Sequence, residues 1–273
     1  MRVVVFGSKG MAGHIVSRYL KEQGHQVITV ARSDADVNVD VEKDDLSWLT
    51  DIDADYVVNC IGLLVKDSND RPDRAIYLNG YFPHRLEELL KNTRTRLIHI
   101  STDCVFDGSR GFYIESDKPT ETNFYGRSKA IGEINNSKDV TFRTSIIGHE
   151  LKAGSGLLEW FLRAPKTVDG WDNAWWNGIT TLKLAECINQ YIQDPKITGI
   201  YHLVSNENRI TKYDLLLLIN DIYKLGKIVN RTQGPKEVNK ILLNTRCDAE
   251  FTIESYPSQI WSMKQYSINS QSK

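Results

Sequence analysis

Tyr125 and Lys129 stand four residues apart in ETNFYGRSKA, and earlier in the chain STDCVFDG sets Ser101, Thr102 and Asp103 at the end of an apolar run. Residues four apart share one face of a helix. A phenol, an ammonium and a hydroxyl brought together can reduce a carbonyl, given a hydride source. The phenol donates a proton to the oxygen, and an ammonium beside it favours the phenolate and lowers a pKa that starts at about 10. The hydroxyl orients or polarises the same oxygen. Such a Tyr/Lys pair also fits an ordinary solvated helix face, so the elements that would position it must decide.

The N-terminus points to a hydride source. GSKGMAG spaces Gly7, Gly10 and Gly13 directly after the β-branched run RVVVF (2–6) and directly before GHIVSRYLKEQ (13–23), where Ile15, Tyr19 and Leu20 recur at helical spacing. Glycines at a strand-to-helix turn let the backbone approach a pyrophosphate, and the helix N-terminus favours the anion. Gly7, Lys9, Gly10, Met11 and Gly13 are therefore candidate dinucleotide-binding residues. The second strand ends in Ala31-Arg32-Ser33, where a site for NAD would place an acidic residue on the ribose 2′-hydroxyl. Arg32, beside Ser33 and reinforced by Lys9, suits a 2′-phosphate instead, so NADPH is expected in preference to NADH.

Further strands are expected at 25–31, 54–62, 95–102, 139–148 and 199–205, separated by helical stretches such as PHRLEELLKN. Their apolar residues run continuously rather than alternating, as in a sheet covered on both faces. Six strands alternating with helices predict an α/β fold, a doubly wound parallel sheet. A nucleotide-binding domain is expected over 1–150, with 171–205 returning to it. Residues 151–170 and 206–273 would form a smaller C-terminal substrate-binding lobe over the carboxyl edge of the sheet. The final SINSQSK reads as disordered.

Composition excludes several classes. The chain has 273 residues, 41% of them hydrophobic, enough for a sizeable core, and Lys+Arg 34 against Asp+Glu 35 leaves a net charge of -1. That lacks the basic footprint of a nucleic-acid binder. Cys60, Cys104, Cys187 and Cys247 form no zinc-like cluster, so no metal is expected and the cysteines read as reduced thiols. No stretch reads as a signal peptide or reaches the roughly 18 apolar residues of a membrane span, so a soluble cytoplasmic protein is expected.

Taken together, GSKGMAG, STDCVFDG, YGRSK and RTSIIG, with weaker agreement in NGITTLKLAE and GIYHLVS, resemble the motifs of extended short-chain dehydrogenase/reductases. The resemblance is to their dTDP-4-dehydrorhamnose reductase group of nucleotide-sugar reductases, over residues 1 to about 205. It implies a Rossmann domain and NADPH-dependent reduction of the C4 keto group of a nucleotide-linked 4-keto-6-deoxyhexose, dTDP- or UDP-linked, in surface polysaccharide synthesis. Tyr125 would be the acid, Lys129 its electrostatic partner and holder of the nicotinamide ribose, Thr102 the positioner, with Asp103 beside them. The resemblance also implies that Asp40 and Val41 contact the adenine, that Asn59, Cys60, Ile61, Gly62 and Ser101 line the cofactor, and that Asn79 supports that side. Arg143, Thr144 and Ser145 would lie near the nicotinamide and substrate entrance. Cys104, Val105, Phe106, Trp176, Asn177 and Gly178 would face the sugar nucleotide. A homodimer goes with the family.

The last third carries less pattern. Trp175 and Trp176, in a loop-like stretch, are candidates to stack on the ligand, whereas Trp160, among Leu157, Leu158 and Phe161, reads as core. Arg246 offers a guanidinium fork for a diphosphate. The chain departs from the family at Cys104, where the reductases carry an aromatic residue. Related 4,6-dehydratases have a glutamate base there, so dehydration is disfavoured. A cysteine serves in proton transfer in certain reductase-epimerases, but directly after the triad hydroxyl, whereas here Asp103 intervenes. The alternatives to a reductase are thus a reductase-epimerase and a non-catalytic NADP-binding regulatory subunit. Relatives of the second kind often lose the tyrosine or lysine, and this chain keeps both.

Overall fold

The computed structural model describes residues 1–151, 154 and 156–271. Its main sheet is built from β1 (Arg2–Phe6), β2 (Gln26–Ala31), β3 (Val37–Asn38), β4 (Tyr56–Asn59), β5 (Arg96–Thr102), β6 (Val140–Thr144) and the strand Gly199–His202. All seven are parallel, and the order across the sheet is Gly199–His202, β6, β5, β4, β1, β2, β3. This is a doubly wound α/β sheet of the Rossmann type. β1 feeds the helix α1 (Met11–Glu22).

The continuous apolar runs have a direct cause. Successive strand residues point to opposite faces, and in β1 Val3 and Val5 enter one core while Val4 and Phe6 enter the other. On the first face lie Ile15, Val16 and Leu20 of α1 with Leu184 and Ile188 of the helix Thr181–Gln193. On the second lie Phe82, Leu86 and Leu90 of the helix Phe82–Leu90.

Several expected boundaries move. The seventh strand, Val37–Asn38, is two residues long and carries no apolar run to betray it. The expected strand 54–62 stops at Asn59, because Cys60–Gly62 leave the sheet to line a cavity and Asn59 Oδ1 accepts the Ile61 N–H at 3.1 Å. The expected strand 139–148 breaks at Ser145: β6 stays in the main sheet, while Ile146–Ile147 pairs with Ile179–Thr180. The Ser145 carbonyl accepts the Ile179 N–H at 2.8 Å, which turns the chain into this second pairing.

The lobe contains two small sheets. Thr167–Trp171 pairs with Ile228–Thr232, and Ala174–Trp176 pairs with Ile210–Thr211 and Val238–Asn239. Within the expected return over 171–205, Trp171 and Trp176 are strand residues of these small sheets, Ile179–Thr180 pairs with Ile146–Ile147, and Gly199–His202 joins the main sheet. In the other direction, Ala249, Phe251, Ile253 and Tyr266, expected in the lobe, pack against the core of the main sheet. SINSQSK does not read true as disorder: the last helix runs from Tyr256 through Gln271, and the final two residues lie outside the described ones.

Candidate active site

Two cavities open at the carboxyl edge of the sheet. The larger, about 660 Å³, sits where the strand order reverses between β1 and β4, the switch point at which such sheets bind ligands. Gly7, Lys9 and Gly10 line it from the first turn, Arg32 and Ser33 from the end of β2, Asp40 and Val41 from the segment after β3, and Cys60, Ile61 and Gly62 from the end of β4. Gly7 has φ +74, and a Cβ on Gly13 would fall 2.2 Å from the Gly7 carbonyl oxygen. The turn thus closes only with glycine at both places. Gly13 packs α1 onto the turn and does not line the cavity, and Met11 points to Gly156 of the lobe.

Lys9 and Arg32 are exposed, and neither has a carboxylate within ion-pair distance among the described residues. The chain also places Asp34, Glu42, Asp67, Arg71 and Arg74 around this cavity, which sequence reading missed. Arg74 pairs with Glu42. The juxtaposition spans 32 positions, so no local pattern announces it.

Below the cavity stands the helix Phe124–Ile131, capped by Asn123, whose Oδ1 accepts the Gly126 N–H at 2.9 Å. Lys129 is buried on it, and its ammonium donates to the Ile100 carbonyl in β5 at 2.7 Å. Burial pushes its pKa down to about 8, against the pull of Glu133 and Cys60. A Cβ on Gly62 would lie 3.9 Å from Lys129 Nζ, so the ammonium lies directly behind the cavity wall. Asn79 fixes the same wall. Its Oδ1 accepts the Leu63 N–H at 2.8 Å, and its Nδ2 donates to Ser128 Oγ at 3.1 Å, joining the wall to the Lys129 helix. It does so from a π-helical segment, Ile76–Tyr81.

Tyr125, half-buried, faces the other way. Burial raises its pKa, Cys104 and Asp103 add to the rise, and a hydrogen bond with the Thr102 side chain opposes it. The groups that bear on the phenol do not include Lys129, expected to lower its pKa, and the Lys129 ammonium donates to the Ile100 carbonyl. Thr102 Oγ1 accepts the Cys104 N–H at 3.1 Å and donates to Asp103 Oδ1 at 3.1 Å.

Asp103 and Cys104 line the second cavity, about 300 Å³, with Ser145, Trp175, Trp176, Lys212 and Lys240. Burial raises the Asp103 carboxyl pKa, opposed first by Lys240. Burial, then Asp103, pushes the Cys104 thiol up to about 12, so it is an unfavourable thiolate. Lys212 and Lys240 are the residues that sequence reading missed here. Each is a lone lysine in a stretch with little pattern, brought to the cavity by the lobe.

Other expected site residues are committed elsewhere. Asn59 is buried against His99, and Ser101 Oγ donates to Glu133 Oε1 at 2.7 Å, so neither lines the first cavity. Arg143 is buried in a forked pair with Glu133, with 2.6 Å from Nη2 to Oε2, and its Nη1 meets His202 Nε2 at 2.9 Å. It has no donor directed at a substrate entrance. Thr144 is buried beside it in β6. Val105 and Phe106 are core residues packed with Tyr113 and Leu242. The Asn177 amide clamps the Leu242 backbone, donating to its carbonyl at 2.7 Å and accepting its N–H at 3.1 Å. Arg246 pairs with Asp248 and donates to the Thr198 and Ile200 carbonyls, bracing the edge strand rather than a diphosphate. Trp176 lines the second cavity and is buried. Its ring stacks on Tyr256 and its Nε1 donates to Ser145 Oγ at 2.9 Å. Trp160 is 43% exposed, because Leu158 and Phe161 form the buried face of their helix.

A family model described as RmlD substrate binding domain matches residues 1–238. The probable low-salt glycan biosynthesis reductase Agl14 of Haloferax volcanii is 36% identical over 143 residues, 49% of this chain and 48% of that protein. This chain thus spans about half the length of that relative. A dTDP-4-dehydrorhamnose reductase of Burkholderia thailandensis is 28% identical over 224 residues, 75% of this chain and 73% of that one. Among solved structures, the dTDP-4-dehydrorhamnose reductase of Bacillus anthracis, in complex with NADP, has a TM-score of 0.82 at 20% identity. The likeness covers 97% of this chain and 99% of that one and speaks for a shared fold. Since the family match reaches from the glycine turn across the main sheet and through most of the lobe, the chain belongs to the RmlD substrate-binding domain family.

Proposed function

We propose that the protein reduces the C4 keto group of a nucleotide-linked 4-keto-6-deoxyhexose with NADPH, in the synthesis of a surface polysaccharide. The observation that carries this reading is the helix Phe124–Ile131, which sets Lys129 behind one cavity and Tyr125 near Asp103 and Cys104, which line the other. The first cavity fits the dinucleotide: a glycine turn, an α1 N-terminus with no side-chain cap, and Lys9 with Arg32 for a 2′-phosphate. Bound NADPH would supply the hydride. Lys129, from behind Gly62, would hold the nicotinamide ribose.

In the second cavity Tyr125 would give its proton to the C4 oxygen, and Thr102 would orient that oxygen. Burial keeps the phenol protonated at neutral pH, and charge growing on the carbonyl oxygen must draw that proton across. Lys212 and Lys240 bring two ammonium groups to this cavity beside Asp103, and cations there could meet a sugar diphosphate. The high thiol pKa of Cys104 speaks against the epimerase alternative. The named reductases among the relatives support the chemistry, and the free cysteines fit a cytoplasmic location.

The test is NADPH oxidation with dTDP-, UDP- and GDP-linked 4-keto-6-deoxy sugars, with Tyr125→Phe as control. Turnover of at least one sugar, lost in the variant, is expected. Tight NADPH binding with no turnover of any sugar would replace this reading with the regulatory one.

A further inference from the structure

One wall of the larger cavity lies beyond the end of the sheet. Asp40, Val41 and Glu42 line it, and they follow β3, a two-residue edge strand. A strand so short gives its continuation no ladder to hold it. The segment closes on itself as a turn, the Lys43 and Asp44 N–H groups donating to the Asp40 carbonyl at 2.9 and 2.8 Å. Three side chains of the helical run 72–90 tie this turn down. The Tyr77 hydroxyl donates to the Val41 carbonyl at 2.9 Å, and Arg85 Nη1 donates to the same carbonyl at 3.1 Å and to the Tyr77 oxygen at 3.2 Å. Arg85 Nη2 donates to the Asp44 carbonyl at 3.1 Å, and Arg74 Nε to Glu42 Oε1 at 3.0 Å.

Tyr77 belongs to the π-helical segment Ile76–Tyr81, and so does Asn79, which holds the wall beside Gly62 through the Leu63 N–H and Ser128. Residues two apart on a helix do not share a face, so the two side chains leave the segment in different directions. Leu78, between them, is buried and lines the cavity itself. π-helical turns are rare and recur at functional sites. Here one three-residue stretch reaches two walls of the cavity and the space between them.

We propose that Tyr77 and Arg85 are positioning residues for the adenosine half of the coenzyme, while Asn79 serves the nicotinamide half from the same π-helical segment. This deepens the reductase reading and rests on its dinucleotide assignment of the larger cavity. The brace acts through the backbone. With the Val41 carbonyl held twice, Asp40 and Val41 keep their places before the coenzyme arrives, and binding loses less conformational entropy.

The test uses the full chain and two probes, NADPH and its adenosine-half fragment 2′,5′-ADP. Tyr77→Phe removes one hydroxyl and should raise the Kd of both by roughly three- to tenfold, the worth of a single hydrogen bond. Arg85→Lys loses the fork that spans the Val41 and Asp44 carbonyls and should act in the same direction. Asn79→Ala should raise the Kd for NADPH and leave that for 2′,5′-ADP as in wild type, a split that a general loosening of the fold would not produce. Hydrogen exchange without ligand should show the Lys43 and Asp44 amides less protected in Tyr77→Phe and Arg85→Lys. Wild-type exchange in both of these variants, or an unchanged Kd for 2′,5′-ADP in either, would overturn the proposal. So would equal losses of the two probes in Asn79→Ala. Faster exchange in the variants of a chain whose wild type binds neither probe would leave the brace standing and defeat the dinucleotide assignment alone.

Discussion

Tyr125 and Lys129 stand one helical turn apart, yet their polar atoms meet different groups: Thr102, Asp103 and Cys104 bear on the phenol, and the ammonium donates to the Ile100 carbonyl behind the larger cavity. On the proposed reading the pair divides the cofactor from the sugar rather than acting as a contact pair. Its two members should fail differently when removed.

Tyr125→Phe should lower kcat by about 10²- to 10⁴-fold, the usual worth of a positioned acid, with the Kd for NADPH unchanged. Lys129→Met should weaken NADPH binding as well as lower kcat. Fluorescence titration of both variants with NADPH checks the split, and equal losses of binding would contradict it.

Lys129 gives stability a pH dependence of definite sign. Its pKa falls on folding from 10.5 to about 8, so between those values the unfolded chain binds more protons and stability rises with pH. Below pH 8 the buried ammonium costs on the order of 3 kcal/mol, each unit of pKa being worth about 1.4 kcal/mol. Lys129→Met should thus raise Tm at pH 7, with the gain shrinking as pH passes from 8 towards 10. Calorimetry across that range checks it, and a variant less stable than wild type at pH 7 would refute the assignment.

Arg32→Ala should raise the KM for NADPH roughly tenfold, the loss of about one charge-assisted hydrogen bond, and leave the KM for NADH unchanged. Lys9→Ala should act in the same direction. Steady-state kinetics with both coenzymes decide the matter, and a parallel loss with NADH would remove the 2′-phosphate from the explanation.

The two neighbouring tryptophans should separate stability from binding. Trp176→Ala deletes a ring stacked on Tyr256 in the lobe core and should cost about 3–5 kcal/mol in urea unfolding. Trp175, half-buried at the second cavity, should chiefly raise the KM for the sugar nucleotide when changed to Ala. The reverse pattern would return Trp176 to the binding surface.

Cys104→Ser should exchange solvent deuterium into the sugar no more slowly than wild type, because a thiol pushed up to about 12 carries little proton traffic near neutral pH. Mass spectrometry of the product reads this directly. A loss of exchange in the variant would restore the thiol to the mechanism.

The main sheet was legible because each strand is buried on both faces and so writes a continuous apolar run. β3 escaped notice because two residues write no pattern. The glycine turn, Arg32 and the Tyr125 helix could be found because their roles follow from spacing within a short stretch. The partners of Arg143, Asn177 and Arg246 were not legible for one shared reason: a sequence displays a donor but not its acceptor. Their partners, Glu133, the Leu242 backbone and the Thr198 and Ile200 carbonyls, are up to 65 positions away. Lys212 and Lys240 were hidden by the converse, since a lysine near no motif gains meaning only from the cavity it enters.

The acceptor for Lys129 and the hydroxyl of Thr102 belong to the same strand, two residues apart in β5. A strand advances about 3.3 Å per residue, so a fixed ruler of about 7 Å separates the anchor of Lys129 from the Thr102 hydroxyl. Sheet backbone at the centre of a fold drifts far less in evolution than surface loops do. A chain of this build can therefore rewrite the lobe and the loop after β5 while the spacing of these two anchors stays as the sheet sets it.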